Sequence, residues 1–164
     1  MKGRVSILLA TMREPIIRAG EPADVERAFA LIAELAEYEM AAHELENTVS
    51  SMLQDGFGQK ASFRFWVACK DNAVVGLALV YDRYSTWKGR CLYLEDLIVT
   101  KSERGKGVGK ALFEYVMNIA RDEGYSQMNW QVLDWNESAI GFYNSWNPSW
   151  DGQWINGKIS VKIK

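Results

Sequence analysis

The stretch Arg104-Gly105-Lys106-Gly107-Val108-Gly109-Lys110 has the residue types to hold an anion. Its three alternate glycines leave backbone N–H groups unobstructed and let a ligand approach the main chain closely. A helical repeat begins at Val108, so the turn sits at a helix start, where unpaired N–H groups and the positive end of the helix dipole attract negative charge. Arg104, Lys106 and Lys110 add cations, and the expected ligand is a phosphate or pyrophosphate. The turn is not a Walker A loop, because Gly109-Lys110 is followed by Ala111 and the magnesium-binding hydroxyl is missing. Nor is it the dinucleotide fingerprint, whose glycine spacing differs and whose short βαβ unit does not open this chain. On the glycines alone, a glycine-rich turn with solvated lysines is an equal reading.

Two carboxylates, Glu95 and Asp96, lie inside the apolar run Leu92-Tyr93-Leu94-Glu95-Asp96-Leu97-Ile98-Val99. A charge there is costly unless it is used, which favours a functional Glu95. Asp96 stays open between meeting a substrate charge and hydrogen-bonding a loop. Cys69 and Cys91 each sit in an apolar run and read as small core residues of a reducing cytoplasm. The only histidine, His43, lies in a polar stretch, so neither a Cys–His pair nor a metal-ligand set is expected.

The elements that must position these residues follow from period and punctuation. Ile16-Ile17-Arg18 reads as a short strand, and Pro22 suits the first turn of a helix carrying Val25, Phe29, Ile32, Ala33 and Ala36 and ending near Tyr38-Glu39. A second helix fits Thr48 to Gln54, capped by Thr48 and stopped by Gly56. Phe63 to Cys69, Ala73 to Tyr84 and Cys91 to Val99 read as an antiparallel meander, with a turn at Asp71-Asn72. Val108, Ala111, Leu112, Tyr115, Val116 and Ile119 then mark an amphipathic helix closed by Gly124. Gln127 to Leu133 is a strand, Glu137 to Trp146 a helix after Asn136, and Ile155 to Ile163 alternates as a final strand. The order β-α-α-β-β-β-α-β-α-β packs as one α+β domain with a mostly antiparallel sheet.

The chain has 164 residues, enough for one domain with a core of its own. Its 19 basic and 21 acidic residues give a net charge of -2, a poor balance for a nucleic-acid binder. No apolar run approaches the ~20 residues that span a bilayer. Residues 1–13 carry Lys2, Arg4 and the short run Ile7-Leu8-Leu9-Ala10 without a cleavage site, and read as an N-terminal extension, with Met12 as an alternative start, ahead of a single domain over 14–164.

Several motifs in order break the tie at the glycine turn. Glu34-Leu35-Ala36-Glu37-Tyr38-Glu39, Asp55-Gly56-Phe57-Gly58, Leu92-Tyr93-Leu94-Glu95-Asp96, Arg104-Gly105-x-Gly107-x-Gly109, and Trp135-Asn136-Glu137 with Phe142-Tyr143 together resemble the spermidine/spermine (diamine) N-acetyltransferase family of the GNAT superfamily. The resemblance covers about Ile16 to Tyr143. It implies a GNAT (acyl-CoA N-acyltransferase) fold, a mixed, mostly antiparallel sheet flanked by helices. It also implies acetyl-CoA as co-substrate, direct transfer to a small cationic amine, and a homodimer, the commonest assembly.

By that resemblance, the backbone of Leu97, Ile98 and Val99 grips the acetyl and pantetheine end of acetyl-CoA. Arg104, Gly105, Lys106, Gly107, Val108, Gly109 and Lys110 form the pyrophosphate loop. Asn136, Glu137, Ser138 and Ala139 make a further coenzyme contact. Tyr143 matches the catalytic tyrosine, while Tyr38, Glu39, Glu95, Asn129, Trp130 and Gln131 match the amine site. The chemistry suits those residue types. An ammonium must lose a proton before it can attack, and Glu95 or Glu39 can bind the cation and take or relay that proton. A backbone N–H near Leu97 can hold the oxyanion. A tyrosine hydroxyl can protonate the departing thiolate, whose conjugate acid has a pKa of ~8.5 if it behaves like cysteine.

The chain departs from the family at Asn147, where the family has a glycine four residues after the tyrosine; Asn tolerates the left-handed turn a glycine would take. The likeness fades after Trp150, which leaves the acceptor open. Two other readings stand beside it: an acetyltransferase for protein lysine or aminoglycosides, and a non-catalytic coenzyme sensor.

Overall fold

Five strands form one sheet in the computed structural model, which describes residues 14–161. They are β1 (Ile16–Ala19), β2 (Arg64–Lys70), β3 (Ala73–Ser85), β4 (Gly89–Val99) and β5 (Gln127–Asn129), lying side by side in chain order. β1 to β4 run antiparallel, whereas β5 joins β4 in parallel. A parallel step needs a crossover, supplied here by α3 (Val108–Asp122). α1 (Val25–Tyr38) and α2 (Val49–Phe57) come before β2. The result is the expected mixed, mostly antiparallel sheet flanked by helices.

Strand alternation sorts the core. Phe65 and Val67 of β2, Leu77 and Leu79 of β3, and Ile98 of β4 share a cluster with Val25, Ala28 and Leu31 of α1 and Met52 of α2. The intervening residues meet α3 on the other face. Trp66 rests beside Tyr115, ring centroids 6.2 Å apart. Gly76 lies against α3 so closely that an added Cβ would come 2.9 Å from Leu112. Each large apolar side chain buried in this way contributes roughly 1.5–3 kcal/mol.

A buried carboxylate fixes the corner between β1 and α1. Asp24 takes both arms of Arg18, at 2.6 and 2.8 Å, and accepts the Glu21 N–H at 2.8 Å. These bonds hold its carboxyl below the usual range, the Arg18 hydrogen bond first.

Several boundaries differ from the sequence expectation. Pro22 opens a 3-10 turn, Pro22–Asp24, rather than α1 itself. α2 runs through Gly56 to Phe57, with Thr48 Oγ1 accepting the Ser51 N–H at 3.1 Å as expected of a cap. The strand expected over 127–133 keeps only Gln127–Asn129, and the helix expected to reach Trp146 ends at Asn144. The final strand expected over Ile155 to Ile163 is absent among the described residues, where Ile155 is 96% and Ile159 90% exposed. Alternation marks a segment that would suit a sheet, but a strand exists only where a neighbour takes its N–H and C=O groups. The expected extension over 1–13 lies outside the described residues, as do 162–164.

By contact the chain divides into two compact units, Met1–Trp130 and Gln131–Lys164. The whole sheet and α1 to α3 belong to the first. The second holds α4 (Glu137–Asn144).

Candidate active site

The glycine turn takes the conformation its composition calls for. Gly105 and Gly107 have φ of 73° and 85°, in the left-handed region where a side chain is strained. Gly107 caps α3, and the first intrahelical bond runs from the Ala111 N–H to its carbonyl at 3.0 Å. The N–H groups of Val108, Gly109 and Lys110 precede that bond and have no helical acceptor. A Cβ on Gly105 or Gly107 would meet no atom within 4 Å, so the space a ligand would take is open. This turn fits a diphosphate by its own geometry. Its cations are tied to protein groups: Lys106 reaches Glu103 at 3.0 Å, and Lys110 lies 3.9 Å from Glu114. Glu103 also accepts from Lys70 at 2.7 Å. A cavity of about 340 Å³ beside the turn is lined by Lys70, Lys106, Gly107 and Lys110 together with Glu14 and Glu114.

β4 leads into this turn through a break in its ladder. Leu79 pairs with Asp96 and Val80 with Leu94, leaving Glu95 as an extra residue opposite none. Such a bulge re-aims side chains. Tyr81, opposite Tyr93 on the neighbouring strand, hydrogen-bonds Glu95, and the two rings stack at 5.0 Å. Burial first, then Glu95, pushes the Tyr81 hydroxyl up to about 12, so it remains a donor to that carboxylate at neutral pH. Asp96 is pushed up to about 7, by burial first and then by the negative charges of Glu95 and Glu39. Burial also raises Glu39. Glu95 and Glu39, from two elements, thus both act on Asp96, an arrangement suited to a cation and to proton exchange.

Among the described residues, the β5 side of β4 has no strand partner beyond Tyr93, since the pairing covers only Cys91 to Tyr93. Leu97, Ile98 and Val99 lie in that stretch. The Val99 carbonyl accepts from Arg104 Nε at 2.8 Å. The guanidinium carbon of Arg104 lies 5.1 Å from the centre of the Tyr38 ring.

α1 ends where the sequence expectation put it. Tyr38 is its last residue and Glu39 its cap. Met40 adopts the left-handed conformation, φ 58°, that lets the Ala41 N–H reach back to the Ala36 carbonyl at 2.8 Å. Of the strand residues expected at the amine site, Asn129 pairs with Tyr93, and Trp130 sets its ring edge-on to Phe113 of α3 at 5.6 Å.

The remaining expected residues belong to the second unit. Asn136 is buried, and its side chain caps α4 by accepting the Ala139 N–H at 3.1 Å. Glu137, Ser138 and Ala139 form the first turn of that helix. Tyr143 is 7% exposed and meets Phe142 and Trp150 edge-on, at 5.1 and 6.5 Å. Trp150 Nε1 donates to Asn144 at 2.8 Å, and Gln131 donates to Asn156 at 2.7 Å. Asn147 takes φ 54°, as expected of a residue standing in for glycine.

Sequence reasoning missed Tyr81 as a partner of Glu95. Its signal was the strand register, which sets Tyr81 against Tyr93, but register emerges only from pairing.

The model of the Acetyltransferase (GNAT) family matches residues 28–146. Thialysine N-epsilon-acetyltransferase of Bos taurus is 37% identical over 138 residues, covering 79% of this chain and 81% of that protein. The Caenorhabditis elegans protein of the same name is 35% identical over 124 residues, 76% of either chain. Spermidine/spermine N(1)-acetyltransferase-like protein 1 of Homo sapiens is 33% identical over 136 residues, 79% of this chain and 20% of that longer one. Among solved structures, an aminoglycoside acetyltransferase from an uncultured soil metagenomic sample superposes with a TM-score of 0.73 at 22% identity, over 90% of this chain and 97% of that one, a likeness of fold.

Proposed function

The chain belongs to the GNAT acetyltransferase family, and from that premise we propose that it moves the acetyl group of acetyl-CoA directly to a primary amine of a small cationic acceptor, a polyamine or a thialysine-like amino acid. Its class of activity is N-acetyl transfer, that of its curated relatives. The observation that carries the reading is the turn between β4 and α3, where left-handed glycines and the N–H groups ahead of the first helical bond open onto free space just past the carboxylate cluster.

Acetyl-CoA supplies an activated acyl group: the new C–N bond replaces the C–S bond, and the sulfur leaves as a thiol. The chain's own residues do the rest. N–H groups from Gly105 to Lys110 hold the diphosphate, and Asn136 to Ala139 make a further coenzyme contact. The backbone at Leu97 to Val99 orients the acyl end, one N–H facing the developing oxyanion. Glu39 and Glu95 bind the acceptor cation, and Glu95, held by Tyr81, takes its proton. Tyr143 returns a proton to the sulfur. Tyr38, Asn129, Trp130 and Gln131 shape the acceptor site. Holding both reactants in register supplies much of the rate.

The protein works in the cytoplasm, consistent with two free cysteines, and as a homodimer. Residues 14–164 act as a single catalytic domain behind the extension 1–13. The deciding experiment follows free-thiol release from acetyl-CoA with thialysine, spermidine, lysine, an aminoglycoside and a lysine peptide. Turnover is expected with the first two. Preference for the aminoglycoside or the peptide changes the acceptor, and no turnover with any amine while acetyl-CoA still binds makes the protein a coenzyme sensor.

A further inference from the structure

We propose that Arg104 is a positioning residue that transmits occupancy of the glycine turn to the acceptor end of α1. The inference rests on the coenzyme reading above and adds a coupling between its two binding sites. Arg104 opens the turn, and its guanidinium engages Val99 and Tyr38. One side of it is fixed by the Nε bond to the Val99 carbonyl, 2.8 Å, at the end of β4. The other lies against Tyr38, 5.1 Å from the ring centre, and Tyr38 precedes the Glu39 carboxyl that acts on Asp96.

A second tie shows what the first one adds. Glu34, one turn earlier on α1, accepts from Thr100 Oγ1 at 2.9 Å and from Arg27 at 3.0 Å, while Arg27 Nε donates to the Val74 carbonyl at 3.1 Å. That clamp joins helix to sheet whatever the turn is doing. Tyr38 stands four residues on, along the same helix face. Its tie to Arg104 runs through the turn, and both partners are exposed, Tyr38 by 40%. An exposed cation–π contact of this kind biases an equilibrium about 2–5-fold rather than locking it. An anion that orders Gly105 to Lys110 also orders Arg104 next to it, and the stack on Tyr38 then forms at a smaller entropy cost. Loading the turn therefore stiffens residues 35–41, and by reciprocity an acceptor held there tightens the coenzyme.

Hydrogen exchange on the full chain tests this with CoA as the probe, at concentrations that saturate each variant. In the unaltered protein CoA should slow exchange at 105–110 and also, about 2–5-fold, at 35–41. Arg104→Met and Tyr38→Leu should keep the first protection and lose the second, while Tyr38→Phe, which retains the ring, should keep both. Unchanged exchange over Val25–Leu31 certifies that a variant is folded. Protection at 105–110 with none at 35–41 in the unaltered protein overturns the coupling, as does its survival in Arg104→Met. If CoA protects neither segment, the coenzyme site itself is wrong and the coupling falls with it.

Discussion

A carboxyl buried beside two others prefers its neutral form. Burial and two nearby negative charges raise Asp96 from 3.8 to about 7. The folded state prefers its neutral form, so its contribution to stability is complete below pH 4 and fades as pH rises through about 7. A shift of that size corresponds to up to about 4 kcal/mol. Asp96→Asn keeps the neutral form at every pH. It should unfold at higher temperature than the unaltered protein at pH 8 and at the same temperature near pH 4, as calorimetry would register. Tyr143 makes the opposite kind of test, one of rate. Tyr143→Phe removes the hydroxyl but keeps the ring that meets Phe142 and Trp150, so turnover should drop by ~10²–10⁴-fold with coenzyme affinity little altered. An unchanged rate would remove Tyr143 as the acid.

At the scale of elements, the turn before α3 depends on backbone angles more than on its lysines. Gly107→Val would force a β-branched side chain to φ near 85° and project it into the open side of the turn. Beyond ~1–2 kcal/mol of strain, coenzyme affinity measured by calorimetry should fall ~10-fold or more. Lys106→Ala should matter much less, because Lys106 is tied to Glu103. These elements also show what could be read in advance. Glycines at 105, 107 and 109, the helical period from Val108 and the three long strands were legible because each is a local pattern. The bulge at Glu95 was not, since it is a property of two paired strands, and neither was the corner built by Arg18 and Asp24 from six residues apart. The alternating tail misled for the same reason in reverse: period alone supplies no partner. At the site, the resemblance named Glu95 and Tyr38, but only coordinates gave Glu95 to Tyr81 and Tyr38 to Arg104.

For the whole molecule, the two sites described in the first unit share one support, β4, with the carboxylates at its break and the glycine turn after its end. A ligand bound to the turn draws on the stability of the whole sheet. Acetyl-CoA at a hundred times its dissociation constant should raise the melting temperature by roughly 5–10 °C. A chain altered at Gly107 should show a smaller rise at the same concentration. Absence of any rise in the unaltered chain would count against the coenzyme reading as a whole.

The unmatched residue in β4 has a further meaning. Leu94 and Asp96 already face the partners an uninterrupted ladder would give them, so Glu95 is surplus to the sheet's own arithmetic. Deleting it should let the two strands zip together without flipping a single neighbour. On the proposed role of Glu95 as proton acceptor, the shortened protein should keep the sheet and lose turnover, because the position the ladder can spare is the one the chemistry would need.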